Sequence, residues 1–401
     1  MKRVLVFINN TFLFVLILLI ALTFHPRFVD LTNEAGGGQG GVLYPYIITC
    51  FISLFVLCLR KIRVYDFIRH FSPLLIPFVF TVFVSVLILA VFNDMSMLLG
   101  DVRPIAISLI ALFIGYYADL SDSSLRFLVL VFALAALWVG VEQVFVRGGG
   151  FVIEGYFADN KNQLGPLLMT AAVSSFAMIR KRELIDVCFI ALSIGCVVTA
   201  LTIRARAAVL SGAVSFVVLL LMMNKKRGTF GSIIVTFLIV GLGFVLLPET
   251  AKGYVYDSFF GGYTSGDVTS GRIERNEAVV SFLGENFWTG RLGLSNANLA
   301  IAHNYVLNIL YKYGFLFSIP LLWLYFVLFS QCLKSPSGKY GFDFKFIGIV
   351  TFYIPFIVSL FEYTFPYGPG TATSFNFLLL GISLKNINSN SNKLLVDSNI
   401  E

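Results

Sequence analysis

Twelve apolar windows constrain this chain more than any other feature. They lie near residues 4–24, 42–59, 73–93, 104–118, 127–146, 163–179, 184–203, 207–223, 230–247, 314–333, 346–364 and 371–384. Most are about as long as a helix must be to cross a hydrocarbon core of roughly 30 Å. Lipid offers no water to backbone N–H and C=O groups, so such segments fold as helices that close their own hydrogen bonds. The expected fold is an all-α polytopic integral membrane protein of about twelve transmembrane helices. Composition agrees: 58% of residues are hydrophobic and 13% charged, against about a quarter charged in soluble domains.

The formal charge of +7 does not call for a nucleic-acid partner, because in such chains Lys and Arg collect in cytoplasmic loops. With a cytoplasmic N-terminus, the clusters at 60–63 (RKIR), 180–182 (RKR) and 225–227 (KKR) all fall on the inner side, and an even number of spans returns the C-terminus there. The start, MKRVLVFINNTFLFVLILLIAL, is basic like a signal peptide. Its apolar run is longer than a signal's and no small-residue cleavage site follows, so it reads as the first span. Five cysteines sit in or beside apolar runs without CxxC or Cys/His spacing, which indicates neither a disulfide framework nor a metal centre.

One stretch breaks the pattern. Residues 248–313 are neither apolar enough to cross a bilayer nor short enough for a simple turn. The chain therefore divides into N-terminal spans (1–247, about nine), a long outer loop with short helices (248–313), C-terminal spans (314–384) and a polar, disordered cytoplasmic tail (385–401). Two smaller outer features accompany the loop. The segment after the fifth span gathers Arg147, Glu154, Asp159, Asn160, Lys161 and Asn162 around Tyr156 and Phe157, either as a sugar-facing loop or as a polar interfacial turn. Arg204 and Arg206 are wedged between two spans; they either snorkel to the interface or mark a substrate path, since charges at span edges are costly.

Wound as a helix, GRIERNEAVVSFLGENFW places Arg272, Arg275 and Asn276 on one face and Glu274, Glu277, Ser281 and Glu285 on the other. The guanidinium pair suits an anion arriving from elsewhere, because arginine grips phosphate oxygens with two parallel N–H bonds. Pairing with carboxylates of other loops is the alternative. Gly290 and Gly293 flank Arg291 in a turn able to aim backbone N–H groups at a phosphate. His303, followed by Asn304, would align on a helix with Leu307, Leu310 and Gly314, a packing position. Its neighbours favour chemistry instead: imidazole is the side chain whose ordinary pKa lies nearest working pH, as a general base requires.

These residues carry a resemblance. A long outer loop with an Arg near its middle (Ser270-Gly271-Arg272), closing in His303-Asn304 before an apolar helix and Tyr313-Gly314, resembles the O-antigen polymerase and O-antigen ligase superfamily. Upstream, Ala205-Arg206-Ala207-Ala208 stands where the family has Ser-Arg-Gly-Ala, and Asn162 where it has an Asn at the head of a span. The likeness covers roughly residues 155–320. It departs at Ala205, and in the Pro-x-x-Gly-x-Gly turn, which here reads Phe287-Trp288-Thr289-Gly290-Arg291-Leu292-Gly293.

The resemblance implies a C-type (GT-C-like) membrane glycosyltransferase in the bacterial inner membrane, with its active site periplasmic and without metal or cofactor. Its donor would be a glycan on undecaprenyl pyrophosphate. Arg206 and Arg272 would hold the pyrophosphate, and His303 would orient or deprotonate the acceptor hydroxyl. Arg204, Arg275, Arg291, Asn304 and Asn162 are the substrate-binding candidates. A polymerase joins one lipid-linked repeat of O-antigen, capsule or exopolysaccharide to another; a ligase moves finished polymer to a lipid A-core. A flippase delivering the repeat and a chain-length regulator are the implied partners. A polysaccharide flippase or transporter is the reading from another class, but it needs polar residues spread through several spans, whereas here they gather in one loop.

Overall fold

The computed structural model describes residues 11, 13–20, 40–59, 64–147, 161–179, 183–203, 205–223, 253, 272–294, 302–333, 344–368 and 373–397. Among them the chain is helical and forms no strand. After a helical segment at 13–20 come α1 (Gly40–Leu59), α2 (Val64–Phe92), α3 (Arg103–Tyr117), α4 (Asp122–Glu142), α5 (Lys161–Ala177), α6 (Leu184–Thr202) and α7 (Arg206–Met223). Then follow α8 (Arg272–Asn286), α9 (Tyr305–Cys332), α10 (Ile347–Val358) and α11 (Ser374–Asp397). Among the described residues six segments are long and apolar enough to cross a membrane: Ile68–Phe92, Met97–Tyr117, Asp122–Phe145, Leu184–Thr202, Arg206–Met223 and Tyr305–Cys332. The apolar window at 230–247 and most of residues 248–271 lie outside the described residues.

The outer surface supports a membrane setting. On α6, Val187, Ile190, Ile194 and Val198 are exposed at helical spacing, and on α9 Leu316, Ile319, Trp323 and Phe326 repeat the pattern. Apolar stripes this continuous are unfavourable in water and at home against acyl chains. Inside, α3, α10 and α11 form a wall between two cores. Ile347, Val350, Ile354 and Val358 of α10 face one core, while Ile349, Phe352 and Phe356 face the other. Glycines let the wall close up: a Cβ at Gly115 would collide with the backbone of Leu378, and one at Gly381 with the backbone of Leu112. Small residues at helix contacts are the usual way for backbones to approach in membranes.

Contacts fix which helix ends lie together. Ser108 Oγ donates to Tyr367 O, and Asn376 Nδ2 donates both to Thr170 Oγ1 and to Thr351 O. Gly165 of α5 packs on Ala205 and Ala208. The beginnings of α3, α5, α7 and α11 therefore share one end of the bundle with the end of α10. At the opposite end Ser383 Oγ donates to Lys345 O (2.6 Å), and Lys385 Nζ donates to Ala118 O (3.0 Å) and Asp119 (2.6 Å). That anchorage coincides with a departure from expectation. The tail from 385 was expected to be disordered, yet α11 continues through it to Asp397.

The segment called α9 is two helices. Gly314 has φ 67° and ψ 176°, outside helical space. Tyr305 and Tyr325 stack with ring centroids 5.4 Å apart, whereas twenty residues of straight helix would separate them by about 30 Å. Ser318 Oγ donates to Ile309 O across the same reversal. Residues 305–313 thus form a short arm folded back on the longer arm 315–332, and the longer arm coincides with the apolar window at 314–333.

Candidate functional site

The reversal in α9 holds the loop that carries the candidate residues. Gly290 (φ 58°) and Gly314 (φ 67°) lie back to back: a Cβ on Gly290 would strike Gly314 N and the carbonyls of Leu310 and Tyr311. Both positions use the left-handed backbone that glycine alone adopts without strain. Around this contact Arg291 N donates to Tyr311 O (2.9 Å), Phe315 N to Phe287 O (2.8 Å) and Leu316 N to Trp288 O (3.2 Å). The turn after α8 is thereby tied to the hairpin through main chain. Lys312 and Tyr313, just before the reversal, both reach Asp101: Tyr313 Oη donates to it at 2.5 Å and Lys312 Nζ lies 3.6 Å away.

Docking of α8 decides where its arginines point. Val279 and Leu283 are buried and pack with Ala302 and Tyr311, flanked by Leu307 and Leu310. Steps of three and four residues lead back from Val279 to Asn276, Arg275 and Arg272, so the arginine face belongs to the packed stripe. An open face awaiting an external anion was the expectation; in part, the protein itself satisfies it. Arg272 donates from Nη2 to Glu362 Oε1 (2.6 Å) and from Nη1 to Phe361 O (3.0 Å). Glu362 is buried, with 5% of its surface exposed, at the end of the turn after α10. Its proximity also offsets the unfavourable placing of a cation at a helix N-terminus.

His303 lies beside this pair. It precedes Asn304, which caps the short arm of α9, so His303 is not on the helix and does not align with Leu307 and Leu310 as expected. Asn304 Oδ1 accepts from Leu307 N (3.1 Å) and its Nδ2 donates to Leu360 O (3.3 Å), while Tyr305 N donates to Ser359 O (2.9 Å). His303 N donates to Asn276 Oδ1 at 3.2 Å. The histidine backbone is thus clamped between α8 and the segment after α10. Its Nε2 accepts from Arg275 Nη1 at 2.8 Å, and its Nδ1 stands 3.9 Å from Glu362 Oε2. Arg272, Glu362, His303 and Arg275 form one continuous string, half-buried at one end of the bundle. An open depression of about 490 Å3 runs along α8 beside it, lined by Ile273, Asn276, Glu277, Val280 and Ser281.

The remaining candidates distribute unevenly. Arg206 opens α7 and Asn162 lies in the first turn of α5, both half-buried and at the bundle end that also holds His303. Arg291 sits apart from the imidazole, its guanidinium 5.9 Å from the Tyr311 ring, in cation–π range. Asn304 acts as a helix cap and tether. Arg204 lies outside the described residues. Sequence reasoning missed Glu362. The signal was present: a carboxylate at the edge of the apolar window 346–364 is as costly as an arginine at such an edge, and the argument applied to Arg204 and Arg206 applies to it equally. No protein-family model matches the chain, and a search of curated proteins gives no match either.

Proposed function

We propose that this chain is a bacterial inner-membrane glycosyltransferase that polymerises undecaprenyl-pyrophosphate-linked oligosaccharide repeats on the periplasmic face, about twelve spans carrying one long outer loop. One observation carries the reading: an imidazole from the residue before the α9 cap and two guanidiniums from α8 meet at one end of an apolar bundle. The chemistry such a set supports is displacement at a carbon bearing an anionic leaving group. The acceptor hydroxyl oxygen forms the new bond to the anomeric carbon, the old C–O bond breaks, and its electron pair stays on the pyrophosphate. Arginines neutralise that charge as it develops, where fixed donors act most strongly. His303 takes the hydroxyl proton. Arg206, at the same end of the bundle, is the third cation in reach of a lipid-linked diphosphate, and Asn162 a polar neighbour for its sugar.

A gel of surface polysaccharide tests this directly. A deletion strain is complemented with wild type, Arg272→Ala or His303→Ala. A core capped by a single repeat in the deletion strain, with neither variant restoring the ladder, supports a polymerase working through these residues. Long polymer held on the lipid carrier with no glycan at the surface would make the chain a ligase instead. A normal ladder from both variants would sink the catalytic reading.

A further inference from the structure

Arg275 Nη1 lies 2.8 Å from His303 Nε2. A guanidinium carries five N–H donors and offers no acceptor, so Nε2 is the acceptor and the neutral imidazole carries its proton on Nδ1. Nδ1 is buried with no hydrogen-bond partner and faces Glu362 Oε2. The lone pair that a general base needs is therefore already occupied. The charged and titratable groups around the ring are Arg275 from α8, Glu362 and Tyr363 from the segment after α10, and Arg272 through Glu362.

The two arginines are held differently. Arg272 is fastened to a buried carboxylate and a carbonyl. Arg275 is exposed, and among the described residues its guanidinium bonds only the imidazole. It is therefore the cation with freedom to leave. Exchanging one N–H···N contact for two charge-assisted bonds to phosphate oxygens is favourable, and the next residue on the packed face, Asn276, keeps its hold on His303 N whichever way Arg275 points.

We propose that Arg275 is a latch on the base: a diphosphate at this site draws the guanidinium off His303 Nε2 and frees the imidazole lone pair only when the donor is in place. The inference rests on the transferase reading above. In the step it gates, the acceptor O–H proton passes to Nε2, and the C–O electron pair of the donor leaves on the pyrophosphate. The Nδ1–H of the resulting imidazolium faces Glu362. Donor therefore binds before a competent base exists, and the order of addition is donor first, acceptor second. Arg275 is a positioning residue in the free protein and a phosphate ligand in the complex.

The test is 15N NMR of the full-length protein labelled at histidine in lipid nanodiscs. Three histidines are present, and His303→Gln assigns the signal. Inorganic pyrophosphate is the probe, its binding followed separately by 31P line broadening. The expected result is an Nδ1-protonated His303 in the free protein and a displaced Nε2 resonance on adding pyrophosphate. Arg275→Gln should show the displaced position from the start and lose the response. An Nε2-protonated or cationic ring in the free protein overturns the latch, as does pyrophosphate that binds while Nε2 stays unmoved; in either case the transferase reading stands. Absence of pyrophosphate binding, with the tautomer as described, overturns the anion site itself and the latch with it.

Discussion

Two arginine clusters occupy opposite ends of this bundle. At the end away from His303, Arg126 of α4 donates to Glu183 and to Asp186 (2.7 Å), and its guanidinium lies 5.5 Å from the Phe189 ring. Arg126 and Asp186 are both buried. The same carboxylates cap α6: Asp186 Oδ2 accepts from Glu183 N at 3.2 Å. One guanidinium here faces two carboxylates. At the other end one carboxylate faces Arg272 and His303, and a second guanidinium, the exposed Arg275, bonds the imidazole. The first cluster joins α4 to the start of α6 through both terminal nitrogens of Arg126, while its Nε is buried without a hydrogen-bond partner. The second has more cationic donors than carboxylates, which is what an incoming anion needs. A buried guanidinium facing two carboxylates is matched in charge and reads as structural; two cationic side chains and an imidazole around one carboxylate leave positive charge for an incoming anion.

The largest effect should come from opening the Arg126 cluster. Arg126→Ala takes away the guanidinium that faces the buried Asp186 and should cost about 3–5 kcal/mol, measured as a lower denaturation midpoint in detergent, while transfer per folded molecule is unchanged. An unaltered midpoint would break the comparison. His303→Ala should do the reverse: transfer falls by about 10²–10⁴ in an assay with lipid-linked donor, and the midpoint barely moves.

Glu362→Gln lies between the two. It keeps the shape and removes the charge that holds Arg272, so it should lose about 1.5–3 kcal/mol of a charged hydrogen bond and reduce transfer as well. Thermal unfolding and the transfer assay on the same preparation sharpen the contrast, because a variant that lost only stability would move Glu362 into the structural class. The smallest effect belongs to Ser121→Ala. Ser121 caps α4 by accepting from Ser124 N at 3.1 Å, and its loss should lower stability by about 1 kcal/mol with no change in transfer.

Much of this architecture was legible before any coordinates. Length and continuity of apolar runs are local properties, and helices α2, α3, α6 and α7 lie close to their windows because lipid leaves a chain no other way to bond its backbone. The helix at Arg272–Asn286 was equally readable from its charge sorting. After 384 local polarity argues for disorder, while α11 runs on beyond the Lys385 contacts to Asp397. At the site the sequence selected Arg272, Arg275 and His303 by residue type and by their position in the one long polar stretch.

Which side of α8 is buried was not a local property. Val279 and Leu283 set it by packing on Tyr311 and Ala302, which are distant in sequence, and Asn276 then turns to His303 rather than to solvent. Nor could the pairing of Arg272 with Glu362 be read, because the partners are 90 positions apart and nothing in either segment names the other. The sequence by itself determined a helical membrane chain and the residue types able to handle an anion. Only the tertiary structure decided which of those cations is fastened to a buried carboxylate and which stands exposed against the imidazole, since burial and partner choice arise from contacts between segments that share no local signal.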